Sequence, residues 1–155
     1  MEMGLNRFRP QLAAARSSGR RATLAVLIPE EHDMPREILD ESRIHPAIAD
    51  GVAHWQIDIV RNVQSAAASN AVLVVGMAQN PHCHRARKAL DAASIAHHYL
   101  EYGSYLGQWQ QRGALKMWTG WPTFPMVFVK GVLVGGAADL KKLIDSGELK
   151  RTLAA

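Results

Sequence analysis

The stretch AVLVVGMAQNPHC, residues 71–83, carries the reading of this chain. Residues 71–75 are a continuous β-branched apolar run. Such a run reads as a strand buried on both faces, at the centre of a sheet. Residues 76–79 make a short loop. Asn80 is then a favoured helix N-cap, because its side-chain oxygen can accept from the free N–H groups of the first turn. Pro81 suits the first helical position, where no N–H is needed. A helix is expected from there to about residue 94.

The pattern downstream continues in the same alternation. Residues 97–101 read as a second strand and residues 104–117 as a second helix, broken by 119–122. Residues 124–129 and 132–134 read as paired strands, with Lys130-Gly131 as the two-residue turn between them. Gly135-Gly136 ends the hairpin, a closing helix covers 138–146, and Gly147 stops it. The order is β-α-β-α-β-β-α, an α/β arrangement.

Upstream, Pro46 opens an expected helix. Ile48, Val52, Trp55, Ile59, Val63 and Ala66 recur at steps of three and four, which places one apolar stripe on a single helix 46–66. That stripe needs burial, either on the downstream domain or in a homodimer contact, and both stand open. Residues 22–28 (ATLAVLI) are apolar but too short for their period to separate strand from helix, and 30–35 read as a polar loop. The expected organisation is a flexible basic tail over 1–21, an extension over 22–69 and a domain over 70–155.

Length and composition fit one soluble globular domain with an extension. No apolar run reaches the roughly 18 residues of a membrane span, so no membrane association is expected. The net charge of +4 is local: five of the 18 basic residues but only one of the 14 acidic ones lie in residues 1–21. The rest of the chain is balanced and lacks the basic stripe of a nucleic-acid binder. Cys83 is the one cysteine, which rules out an internal disulfide and fits a reducing compartment. A cytoplasmic location is expected, or an organellar one if residues 1–21 act as a transit peptide. The histidines around the motif (His82, His84, His97, His98) do not share a face or a zinc-type spacing, so no metal is expected.

The order of elements, together with Asn80-Pro81-His82-Cys83, Trp121-Pro122-Thr123-Phe124-Pro125 and Leu133-Val134-Gly135-Gly136, resembles the glutaredoxin family, and its monothiol subgroup in the last two segments. The resemblance implies a thioredoxin-like fold, a four-stranded mixed sheet flanked by helices, here with an N-terminal helical extension. It implies a glutathione-linked thiol–disulfide oxidoreductase, with glutathione or a thiol-containing protein as partner. It makes Pro125 a cis-proline. It places a glutathione site at Thr123, Phe124, Pro125, Gly135, Gly136, Ala138 and Asp139, with Arg112 on the glycyl carboxylate; the bland alternative for Arg112 is a solvated helix arginine.

The chain departs from the family at decisive positions. The first cysteine of the Cys-x-x-Cys motif is Asn80, and an amide can neither attack a disulfide nor bind iron as a thiolate. Cys83, in the resolving position, is the only candidate catalytic thiol, and the alternative is a buried small apolar residue in the first turn. The family's basic residue after the first strand is replaced by Met77 and Ala78, and its acidic residue after Gly-Gly-x is Ala138, with Asp139 one position late. Weak or absent turnover is therefore expected, with glutathione held weakly. The alternative is a non-catalytic glutathione- or protein-binding module. Iron–sulfur cluster delivery comes third, since the ligand at position 80 is gone.

Overall fold

A computed structural model of the chain describes residues 36–155. The expectations for the basic segment 1–21, the apolar run 22–28 and the loop 30–35 lie outside the described residues. After a short 3-10 turn at Glu41–Arg43, the elements are α1 (Pro46–His54), α2 (Ile57–Ser69), β1 (Val72–Gly76), α3 (Pro81–Ala92), β2 (His98–Glu101), α4 (Trp109–Thr119), β3 (Met126–Val129), β4 (Val132–Gly135), α5 (Ala137–Asp145) and α6 (Glu148–Ala154).

The four strands form one mixed sheet in the order β2-β1-β3-β4. β1 runs parallel to β2 and antiparallel to β3, which turns back into β4. All of β1 is buried, as its uninterrupted apolar run requires of an interior strand. Alternate residues of β1 face opposite ways. Leu73 and Val75 join Val60, Val63 and Ala67 of α2 and Ala114 and Leu115 of α4 on one face. Val72 and Val74 join Ala86 and Leu90 of α3, Leu140 of α5 and Leu149 of α6 on the other. Each fully buried valine or leucine among them stabilises the fold by roughly 1.5–3 kcal/mol.

Two expectations are corrected. The helix 46–66 is two helices, because Trp55 is extended and Gln56 takes a left-handed conformation with φ 53°. Trp55 leans toward α4, its Cη2 being 3.8 Å from a Cβ built on Gly113, and Val63 of α2 is buried in the cluster that joins β1 and α4. No proline or glycine stands at Trp55-Gln56 to mark the break in the sequence. Ile48 and Val52 of α1 stay exposed. Of the two partners left open for the stripe, α2 takes the downstream domain: it shares the core of β1, within a compact unit of residues 39–155. Finally, Gly147 (φ 73°) does end α5 but also opens α6, a helix docked by Leu149.

Candidate functional site

Register brings the three expected segments to one end of the sheet. Val75 lies opposite Met126, so the loop leaving β1 faces Pro125 at the start of β3. β4 runs antiparallel to β3, so Gly135 and Gly136 emerge at that same end. Phe124-Pro125 is a cis peptide, as the resemblance implied. Phe124 is buried in the apolar cluster that also contains Cys83, and the Lys116 ammonium lies 5.7 Å from its ring centroid.

Asn80 begins α3 as its N-cap. Its Oδ1 accepts from His82 N at 2.9 Å and Cys83 N at 3.3 Å. Two otherwise free donors of the first turn are thus satisfied by the amide that stands in the thiol's place. Pro81 and His82 are exposed. Cys83 points inward and is 2% exposed. A Cβ built on Gly76 would lie 2.9 Å from Cys83 Sγ and 2.8 Å from Tyr99 Oη, so only glycine lets thiol and phenol close over β1. Burial is the main cause that pushes the Cys83 thiol above its ordinary pKa, and the nearby Glu101 carboxylate acts the same way. The Met77 backbone and the Arg87 guanidinium oppose this without reversing it.

At the other wall, α5 starts at Gly136. Gly136 N donates to Asp139 Oδ2 at 3.0 Å. Gly136 has no side chain to return the bond, so this capping is one-sided. Gly135 sits at φ 114° and a Cβ there would fall 2.5 Å from Asp139 Oδ2, which ties this glycine to the cap. Ala138 is exposed and brings no charge to this end of the sheet. Trp121 Nε1 is buried without a hydrogen-bond partner, 3.7 Å from a Cβ built on Gly136.

Arg112 is not the solvated helix arginine of the bland alternative. It is 8% exposed, and its Nη1 donates to Tyr102 O at 2.8 Å and to Gly107 O. It clamps the loop between β2 and α4. That loop is in turn tied to the motif loop, since Ala78 N donates to Gly103 O at 2.7 Å. Among the described residues, no three His, Cys, Asp or Glu side chains converge on a metal position, and no helix is long and apolar enough to cross a membrane.

The sequence profile of the glutaredoxin family matches residues 72–134. A glutaredoxin-like protein of Dictyostelium discoideum is 42% identical over 102 residues, spanning 66% of this chain and 83% of that protein. The chain belongs to the glutaredoxin family. Monothiol glutaredoxin-4 of Schizosaccharomyces pombe is 33% identical over 89 residues, covering 56% of this chain and 36% of its own length. Among solved structures, oxidized glutaredoxin 2 of Chlamydomonas reinhardtii superposes with a TM-score of 0.56 at 27% identity, covering 64% of this chain and 94% of that one.

Within this glutaredoxin frame, sequence reasoning missed Tyr99, Glu101 and Arg87, which pack against the motif from the β2 side. Tyr99 and Glu101 share a strand face at i and i+2, and Arg87 lies one helical turn beyond Cys83. Those spacings were visible, but nothing in them indicated that β2 lies beside α3.

Proposed function

We propose that this chain holds glutathione, or a thiol-bearing segment of a protein, in the groove between residues 80–83, 123–125 and 135–139, with disulfide turnover weak or absent. The observation that carries this reading is the pair Asn80 and Cys83. Exchange begins when a thiolate attacks a disulfide sulfur and the second sulfur leaves as thiolate. The Asn80 amide cannot make that attack, and it is occupied as a helix cap. The Cys83 thiol is buried, and burial keeps it protonated.

The groove retains features that suit a small anionic peptide. The backbone of Phe124 precedes the cis proline. The first N–H groups of α5 can receive a carboxylate, although Asp139 already occupies that of Gly136. The orphaned Trp121 N–H adds a donor beside Gly136. Loss of the basic residue at Met77 and Ala78 leaves binding mostly to backbone, hence weak. Each missing charge-assisted contact is worth roughly 1.5–3 kcal/mol when well formed. An iron–sulfur cluster held in the family manner does not fit, because position 80 offers no thiolate and the Cys83 thiol faces Gly76 and Tyr99.

The test pairs two measurements on the wild-type protein. Glutathione-dependent reduction of a mixed disulfide is expected near the uncatalysed background, while calorimetry detects weak, saturable glutathione binding. Fast turnover that Cys83→Ser abolishes would make Cys83 a competent nucleophile and overturn the proposal. Absence of saturable binding would remove glutathione as the ligand.

A further inference from the structure

The proposed glutathione site takes only one side of the motif loop. The other side opens into a separate cavity of about 380 Å³ between α3 and the end of β2. Met77, Pro81 and Cys83 give it an apolar, sulfur-bearing floor, and Tyr99, Arg87 and Glu101 stand around it. Neither the segment 123–125 nor Gly135-Gly136 lines it, so it shares only the motif loop with the glutathione groove. Its size falls within the range of small-ligand pockets, which combine an apolar body with a few placed polar groups.

The placed groups here are two opposite charges fixed by one ring. The Arg87 guanidinium carbon lies 4.1 Å from the centroid of the Tyr99 ring. The Tyr99 hydroxyl donates to Glu101 Oε2 at 3.2 Å. Arg87 and Glu101 do not pair with each other: the ion pairs among the described residues are His54–Asp50, His97–Asp91 and Lys141–Asp145. A guanidinium and a carboxylate that do not pair thus face one small cavity, with His84 also on its rim. Burial raises the pKa of both Cys83 and Tyr99, so neither adds charge near neutral pH. An anionic ligand alone would meet Glu101 unfavourably, and a cationic one Arg87. A ligand carrying both charges satisfies both groups.

We propose that this cavity binds a small α-amino acid as its zwitterion, carboxylate toward Arg87 and ammonium toward Glu101. The side chain, apolar or sulfur-containing, rests on Met77, Pro81 and the Cys83 thiol. Binding is non-covalent, and it covers the one thiol of the chain from the side away from the glutathione groove. The inference does not depend on glutathione binding, and its test uses a different ligand and different reporter residues.

L-methionine is the probe, because it cannot exchange disulfides. It is titrated into the full chain while backbone amide shifts are followed by NMR. Saturable shifts are expected at Gln79, His84, Tyr99 and Glu101. N-acetyl-L-methionine lacks the ammonium and L-methioninamide lacks the carboxylate, and each should bind at least about tenfold more weakly. Saturating L-methionine should slow alkylation of Cys83 by N-ethylmaleimide. Arg87→Ala and Glu101→Gln, both at exposed positions, should each weaken binding by a similar factor. The charge series on the wild-type protein keeps the test decisive if either variant misfolds. Equal binding of the three compounds, absence of shifts at these residues, unchanged alkylation, or shifts confined to residues 123–125 and 135–137 would each overturn the proposal.

Discussion

Replacing Asn80 by cysteine should exchange stability for reactivity, and the structure fixes the size of both effects. A thiol with an ordinary pKa of about 8.5 is roughly 3% ionised at pH 7, and burial takes Cys83 below that. Position 80 is only partly buried and lies at the start of the twelve-residue helix α3, where the backbone N–H groups favour an anion. Helix N-termini lower thiol pKa values to about 7 or below, which makes about half of the thiol reactive at pH 7. The gain in thiolate over Cys83 is more than tenfold, before accessibility is counted. The cost is the cap: Asn80 Oδ1 serves two N–H groups, and its loss is worth about 1 kcal/mol. For a unit spanning residues 39–155 that is a fall in Tm of about 3–6 °C. Coupled glutathione-disulfide reduction and thermal unfolding should be measured on wild type, Asn80→Cys and Asn80→Ser. Serine keeps a capping oxygen, so it should retain most of the stability and gain no activity. If Asn80→Ser loses as much stability as Asn80→Cys, the cap argument fails. If folded Asn80→Cys shows no rise in turnover, position 80 is not aligned with the disulfide-binding groove, and the family reading of the site is wrong.

Two further outcomes follow from buried groups. Arg112→Ala removes both bonds of Nη1 to the loop carbonyls of Tyr102 and Gly107 and should cost about 2–4 kcal/mol in chemical denaturation; a cost under about 0.5 kcal/mol would refute the clamp. The raised Cys83 pKa makes stability depend on pH in a definite direction. Above the unfolded thiol's pKa of about 8.5 the unfolded chain loses its proton first, so stability is full below that pH and declines as pH rises toward the folded value. Denaturation curves between pH 7 and 10 should show this decline, and Cys83→Ala should flatten it; an identical slope in the variant would place its cause elsewhere.

Residues 71–83 by themselves fixed β1, its loop and the start of α3. An apolar β-branched run, a short loop, and an N-cap followed by proline admit few arrangements, and each requirement is local to the chain. The same local logic gave the hairpin at Lys130-Gly131, whereas the cis peptide at Pro125 was expected only from the family resemblance. It also identified Asn80 as a cap before any partner was visible, because the acceptor and its donors lie within three residues. Interactions between distant segments were decided only by the tertiary structure. The stripe from Ile48 to Ala66 follows one helical period, yet the chain breaks at Gln56, where the backbone turns left-handed between α1, whose Ile48 and Val52 stay exposed, and α2, whose Val63 is buried. Arg112 read as a surface or ligand arginine, since its true partners, two backbone carbonyls in a preceding loop, leave no mark in side-chain identity. Whether the Cys83 side chain is exposed or buried was decided by the approach of Tyr99 and Gly76, which is set by the register of β1 against β2, and a periodic pattern does not encode that.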